Sequence, residues 1–305
     1  MLRKLIAILG PTAVGKSELA LEVAAAVNGA IVNADSQQVY RYLDIGTGKP
    51  TSMERRRVEH FLIDVVDPDE AFNAAMFRQL ANQSIERISA EGKRAIVCGG
   101  TGLYLRALMH GLFEGPGRYE EFRLALEQRI ETEGLGALFQ NLTEIDPAAA
   151  ASIHPSDRQR LIRALEVYQA TGKPISAWRN EHGFRERYFN LLKIGLNRPR
   201  HELYDIINRR CERMIEDGLL DEVRDLVARG YSLELPPLRS IGYRQMGQVL
   251  QGRQSLDAAL EEMKRETRHL AKRQLTWFRN DREIVWFGSG QKSEIIDAVK
   301  IFLRN

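Results

Sequence analysis

Residues 5–23, LIAILGPTAVGKSELALEV, run as an apolar segment that stops at a glycine, passes through a short loop and resumes in helix-forming residues. Within it, Gly10, Pro11, Thr12, Ala13, Val14, Gly15, Lys16 and Ser17 satisfy G-x-x-x-x-G-K-[ST] at every fixed position. A strand before and a helix after is the context in which that pattern cradles phosphates. The glycines let the main chain curl so that its N–H groups converge on anionic oxygens, and the following helix adds the positive end of its dipole. Lys16 supplies a compact cation, and the Ser17 hydroxyl can ligate a magnesium ion that the phosphates also hold.

A strand–loop–helix unit commits the chain to an α/β fold, a P-loop-type parallel sheet flanked by helices, and the next residues agree. LIAILG (5–10), AIVNAD (30–35), FLIDVV (61–66) and RAIVCGG (94–100) read as strands, separated by the helical stretches SELALEVAAAV, AFNAAMFRQLANQSIERISAEG and TGLYLRALMHG. After the turn-rich GLFEGPG (111–117) the composition shifts to helix formers and charges, with no strand-like run until YFNLLKIGL (188–196). Residues 118–187 are therefore expected to be a helical insertion domain, and 1–117 with 188–305 the core. Amphipathic helices are expected over 201–229, 240–251 and 255–280, with a late strand at EIVWFG (283–288).

At 305 residues, 44% hydrophobic and 28% charged, the chain can bury a full core, and it has neither disordered nor collagen-like bias. The formal charge of +3 permits a nucleic-acid partner without requiring one. Two cysteines, Cys98 and Cys211, are too few for a disulfide scaffold or a cysteine-rich zinc site, which points to a reducing, cytoplasmic setting. The apolar start ends at Gly10 and Pro11, too short for a signal peptide or a membrane span.

A phosphate site alone does not say what happens to the phosphates. Nucleotide hydrolases usually place an acid at the end of another central strand, yet the fourth strand here ends in AIVCGGTG with none. The nearest strand-end acid is Asp35 in AIVNADSQQVY, which suits a magnesium ligand, a general base or a helix cap. Thr101, in GGTGLY, opens a helix after a strand, so its hydroxyl can cap that helix, face the phosphates, or both.

GPTAVGKS, NADSQQVY with DIGTGKP, GGTGLY, DRQRLIRALEVY, RSIGYRQ and AKRQLTWFR occur in an order and at spacings that resemble the bacterial tRNA dimethylallyltransferases, also called tRNA isopentenyltransferases, over essentially the whole chain. The resemblance implies transfer of a dimethylallyl group from dimethylallyl diphosphate to the exocyclic amine of the adenosine 3′ of the tRNA anticodon, with magnesium and release of diphosphate. It implies that Gly10–Ser17 bind the diphosphate, that Asp35 is the general base, that Thr101 touches phosphate or adenosine, and that Arg210 braces the diphosphate, with Arg209 and Arg213 as alternatives. Adenine's amine is a weak nucleophile, so a carboxylate that accepts its proton during attack helps. Carbon–oxygen cleavage builds charge on diphosphate, for which backbone N–H groups, a lysine, an arginine and magnesium are suited. A base in a stacked loop must also be swung out to react.

For the RNA, SDRQRLIRALEVY puts Arg160 and Arg163 on one helix face, and KRETRHLAKRQLTWFR places Arg265, Arg268, Lys272 and Arg279 near one stripe, with Trp277 and Phe278 at its end for stacking. Taken alone, such charged faces are usually only solvated. The resemblance adds as tRNA contacts Ser36, Gln37 and Gln38 beside Asp35, then Arg123, the run Gln159, Arg160, Leu161, Ile162 and Arg163, the run Ser240, Ile241, Gly242, Tyr243, Arg244 and Gln245, and Lys272, Arg273, Gln274 and Arg279. In that reading the insertion clasps the anticodon stem-loop. The absence of paired Cys and His ligands leaves zinc out and favours the bacterial form, expected to act as a monomer. His110, His154 and His269 have no motif partner, and Trp178 and Trp286 are expected to pack. A small-molecule or nucleotide kinase on the same loop and a non-catalytic RNA-binding protein are the competing classes.

Overall fold

The computed structural model describes residues 2–113, 115–183 and 186–305. Met1, Glu114, Phe184 and Arg185, the last two inside the expected insertion, lie outside the described residues. In chain order the elements are β1 (Arg3–Leu9), α1 (Lys16–Val27), β2 (Gly29–Asn33), α2 (Ser52–Arg57), β3 (His60–Phe61), α3 (Ala74–Ala90), β4 (Arg94–Gly99) and α4 (Gly102–His110). There follow α5 (Glu120–Glu133), α6 (Leu135–Ile145), α7 (Pro147–Ala150), α8 (Arg158–Thr171) and α9 (Ile175–His182). The chain then continues through β5 (Phe189–Asn197), α10 (Arg200–Glu216), α11 (Leu219–Ala228), α12 (Tyr243–Leu250), α13 (Leu256–Arg279), β6 (Ile284–Gly288) and α14 (Lys292–Arg304).

The six strands are all parallel, in the order β3-β2-β4-β1-β5-β6. β1 is central, and Leu5 to Leu9 are all buried, as a strand covered on both faces requires. Its alternating side chains feed different layers. Ile6 and Ile8 pack with residues of α1 and α10–α14, whereas Leu5, Ala7 and Leu9 pack with Phe77, Ile85 and Ile88 of α3 and Tyr104, Leu105 and Leu108 of α4. Cα register pairs Leu9 with both Gly99 and Gly195, and Asn33 with Cys98. The segments leaving β1, β2 and β4 therefore emerge side by side at the carboxyl edge, where ligands bind in open α/β sheets.

The chain divides into two compact bodies: residues up to Met109 with Arg187–Asn305, and His110–Glu186, the latter beginning earlier than the 118 expected from composition. The second body has its own apolar centre, including Leu126, Leu138, Leu142, Leu161, Ile162, Leu165 and Ile175. α8 starts where Asp157 accepts from the Arg160 N–H (3.1 Å) and stops at left-handed Gly172.

Three sequence expectations are corrected. FLIDVV is not a full strand: the ladder with β2 ends at Phe61, Leu62 and Asp64 take left-handed φ of 62° and 57°, with Asp64 held by Lys49 and Arg55, and Val66 pairs only in an isolated bridge with Tyr40. The run 201–229 is two helices, because Gly218, at φ 99°, ends α10 and starts α11. The helix expected from 240 begins at Tyr243. α2 and α14 were not anticipated. Among the described residues no helix is long and apolar enough to cross a membrane.

Candidate active site

A cavity of about 1080 Å³ opens at the carboxyl edge of the sheet, entirely within the larger body. One wall is the loop between β1 and α1. Gly10 adopts φ 142° with its α-carbon so close to β5 that a Cβ would sit 2.8 Å from the Leu196 carbonyl oxygen, so only glycine fits. Gly15, at φ 104°, turns the chain into α1. Thr12, Ala13, Gly15, Lys16 and Ser17 line the cavity; Pro11 and Val14 are buried behind them. The Lys16 ammonium donates to the Pro11 carbonyl at 2.6 Å, within its own loop. Burial pulls its pKa down to about 8, with Arg210 adding to the pull and Asp35 opposing it. A buried ammonium so disfavoured is matched to an anion. Burial also pushes the Cys98 thiol of this cavity up to about 11.

Asp35 follows β2 and lines the cavity. Its Oδ1 accepts the N–H groups of Gln37 (2.8 Å) and Gln38 (3.4 Å), closing a turn rather than capping a helix, since none follows before α2, and this fixes how the carboxylate points. The Thr101 hydroxyl oxygen accepts the Ser36 N–H at 3.0 Å and Thr101 N donates to the Ala34 carbonyl at 3.3 Å, tying the turn after β4 to the turn after β2. Thr101 thus supports the Asp35 turn, and it is not among the cavity-lining residues. The Gln37 side-chain oxygen is buried with no hydrogen-bond partner among the described residues.

The opposite wall is DIGTGKP, recognised in the sequence as a block but given no role there. Glu222 accepts three successive backbone N–H groups of this loop, those of Asp44 (3.1 Å), Ile45 (2.7 Å) and Gly46 (3.2 Å), and the Tyr243 hydroxyl donates to the same carboxylate at 2.5 Å. So held, the loop offers the Thr47 carbonyl to Arg210 Nη2 (3.2 Å) and the Thr47 and Gly48 carbonyls to Gln38 Nε2 (3.1 Å each). A Cβ at Gly48 would collide with the Arg210 guanidinium, and one at Gly46 with the Tyr243 ring. Lys49, its side chain only 2% exposed, donates to the Tyr40 carbonyl (2.6 Å), Asp44 (2.7 Å) and Asp64 (2.6 Å). The close glycines of GTG were the available signal for this wall.

Arg209, Arg210 and Arg213 all line the cavity. Arg210 alone of the three is half-buried rather than exposed and bonded to the DIGTGKP loop, and burial lowers its pKa from the ordinary value while Asp35 opposes the shift.

The expected RNA-contact segments divide. Of 159–163, Gln159 and Arg160 are exposed, whereas Leu161 and Ile162 are core residues that hold α8 in place. Arg163 and Arg123 are committed to Glu166, whose side chain is fully buried: Arg123 Nε and Nη2 donate at 2.6 and 2.9 Å, Arg163 Nη1 at 2.6 Å, and the Tyr119 N–H at 2.8 Å. Burial alone would raise the Glu166 pKa, yet these bonds together outweigh it and hold the group at about 2. Of 240–245, Gly242, Tyr243 and Gln245 are buried, Ser240 donates to the Pro237 carbonyl, Ile241 is half-buried, and Arg244 pairs with Glu262 and Glu266. These side chains brace the DIGTGKP loop through Tyr243 and Glu222; Tyr243 and Gln245 cannot themselves present an RNA surface.

On α13, Lys272, Arg273 and Arg279 are exposed. Gln274 turns the other way: its Oε1 accepts the Thr12 N–H of the phosphate loop (2.8 Å) and its Nε2 donates to the Gly100 carbonyl (3.1 Å). Trp277 packs against Gly102, where a Cβ would strike its indole, with the Arg106 guanidinium 4.4 Å from its ring, and Phe278 is buried. Arg268 bonds Asn208. The stacking suggested for Trp277 and Phe278 is therefore replaced, at least for Phe278, by core packing.

Comparison with known proteins agrees with this geometry. The sequence profile of the IPP transferase family matches residues 38–281. A tRNA dimethylallyltransferase 2 of Geotalea uraniireducens is 51% identical over 283 residues, covering 93% of this chain and 91% of that protein. The crystal structure of a tRNA isopentenylpyrophosphate transferase from Bacillus halodurans, 41% identical, superposes with a TM-score of 0.73 over 99% of this chain and 97% of that one. A eukaryotic dimethylallyltransferase described as acting on tRNA, 29% identical, gives 0.79 over 94% of this chain and 74% of that one. With a phosphate loop, a strand-end carboxylate and a braced arginine around one cavity, and with likeness of this extent, the chain belongs to the IPP transferase family.

Proposed function

We propose that the chain transfers the dimethylallyl group of dimethylallyl diphosphate to the exocyclic amine of the adenosine 3′ of a tRNA anticodon, releasing diphosphate. The observation that carries this reading is the pairing, in one cavity, of a phosphate cradle and Arg210 with a single oriented carboxylate, Asp35. Ligand pockets run at roughly 300–1,000 Å³; this one, at about 1080 Å³, has room for a small diphosphate and a purine together.

In the reaction, the exocyclic nitrogen attacks the allylic carbon as its bond to oxygen breaks, and that electron pair leaves on diphosphate. The phosphate-loop N–H groups, Lys16 and Arg210 stabilise the growing charge. Asp35 Oδ1 is anchored by two N–H groups, and Oδ2 takes the amine's proton. Thr101 positions Asp35 through Ser36.

Among the described residues no three His, Cys, Asp or Glu side chains cluster as a metal site. Magnesium takes few protein ligands and shares phosphate oxygens; the Ser17 hydroxyl, which lines the cavity, would hold it there, where it would neutralise diphosphate charge. Exposed Gln159, Arg160, Lys272, Arg273 and Arg279 are the side chains best placed to meet RNA phosphates. The buried, unbridged Cys98 and Cys211 suit action in the cytoplasm.

Incubating the protein with tRNA, dimethylallyl diphosphate and magnesium and analysing the digested nucleosides tests this reading. Dimethylallyl-adenosine formed in proportion to diphosphate supports it; unmodified nucleosides, or ATP consumed in place of the prenyl donor, would contradict it.

A further inference from the structure

Tyr42 sits at the cavity in a conformation that its side chain does not favour. Its φ is 66°, in the left-handed region that glycine and asparagine adopt at little cost and a bulky residue rarely does. Its neighbours impose this: the Arg41 N–H donates to the Val66 carbonyl at 2.9 Å, Leu43 is fully buried, and the Asp44 N–H is held by Glu222. Strain of this kind persists where surroundings dictate it and often marks a working site. Here it delivers an aromatic ring to the water-facing side of the cavity, 39% exposed. The exposed Arg229 guanidinium lies 4.5 Å from the ring centroid, and the Tyr231 ring lies 6.3 Å away at 34°.

An aromatic ring backed by a guanidinium and a second aromatic is the surface on which unpaired bases stack. The cavity around it carries the exposed Arg209 and Arg213, which suit phosphates, whereas Arg41 and Arg55 are paired with Asp67 and Asp64; the exposed, cation-flanked position does not suit a prenyl chain, which calls for an enclosed apolar site. Resting on the RNA-substrate reading above, we propose that Tyr42, supported by Arg229 and Tyr231, is a stacking platform for an unpaired base next to the everted target adenosine.

The test measures the affinity of an anticodon stem-loop RNA for the wild-type chain, Tyr42→Phe, Tyr42→Asn and Tyr42→Gly, together with each protein's thermal midpoint. The same RNA carrying an abasic nucleoside at each position flanking the target is measured in parallel. Tyr42→Gly and Tyr42→Asn should weaken RNA binding about tenfold while melting at or above the wild-type temperature, and Tyr42→Phe should restore the affinity. One abasic substitution should cost the wild type a similar factor and cost Tyr42→Gly nothing more. Variants that bind like the wild type, or that lose affinity together with a lowered melting point and additively with every abasic site, would overturn the platform and leave Tyr42 a packing residue. Wild-type protein that neither binds nor modifies the intact RNA overturns the functional reading itself, and this proposal with it.

Discussion

Two loops face each other across the cavity, and they are held by different means. Gly10–Ser17 is shaped mainly from within: its glycines set the curl, its own carbonyl receives Lys16, and α1 follows directly, with one outside tie from Thr12 N–H to Gln274. Asp44–Lys49 is shaped from without: a carboxylate almost 180 positions along the chain collects three of its N–H groups, and a tyrosine from α12 secures that carboxylate. A self-shaped loop spends its side chains on the ligand, so its substitutions should damage chemistry first. An externally clasped loop is only as firm as its clasp, so substitutions far from the cavity should damage both fold and chemistry.

The largest effects are expected where the first principle holds. Lys16→Ala should lower kcat/KM for the prenyl donor roughly 100-fold or more with an unchanged melting temperature, since among the described residues the ammonium bonds only the Pro11 carbonyl; steady-state kinetics beside calorimetry would check it, and a large loss of stability would break the contrast. Asp35→Asn should cut turnover by roughly 100-fold or more while tRNA affinity holds. Turnover equal to the wild type would remove Asp35 as the base.

Glu166 in the second body is a clasp of the Glu222 kind, taking the Tyr119 N–H and two arginines. Its folded pKa of about 2 lies below the ordinary 4.5, so its contribution is fully present above about pH 4.5 and is lost as pH falls toward 2. Urea unfolding of the wild type and Glu166→Gln should differ by about 3 kcal/mol at neutral pH, with the gap closing through that acid window; a pH-independent gap would contradict the ion cluster. The smallest effect is expected at the other clasp. Glu222→Ala leaves three N–H groups unmatched and should cost about 2 kcal/mol of stability and about tenfold in turnover, with Glu222→Gln intermediate. Full stability with lost turnover would show that the loop is not held as described.

The same contrast explains what could be read in advance. The phosphate loop, the central strands and the insertion were legible because local spacing and composition specify them. The role of DIGTGKP was not, because nothing within that segment announces Glu222 or Tyr243. Tyr243, Gln245 and the Leu161–Ile162 pair read as RNA contacts by position in a block, while burial, which a linear pattern does not display, makes them supports. Gln274 departs from its solvent-facing neighbours Lys272 and Arg273 because helical geometry swings it toward Thr12, where it lines the cavity.

The most direct test labels the bridging oxygen of dimethylallyl diphosphate, between the allylic carbon and phosphorus, with a heavy isotope and follows it through turnover on tRNA. All label is expected in the released diphosphate, one for each adenosine modified. Label retained on a five-carbon alcohol, or a phosphorylated RNA, would mean that the cradle serves phosphoryl transfer and that the assignment of Gly10–Ser17 to a leaving group is wrong.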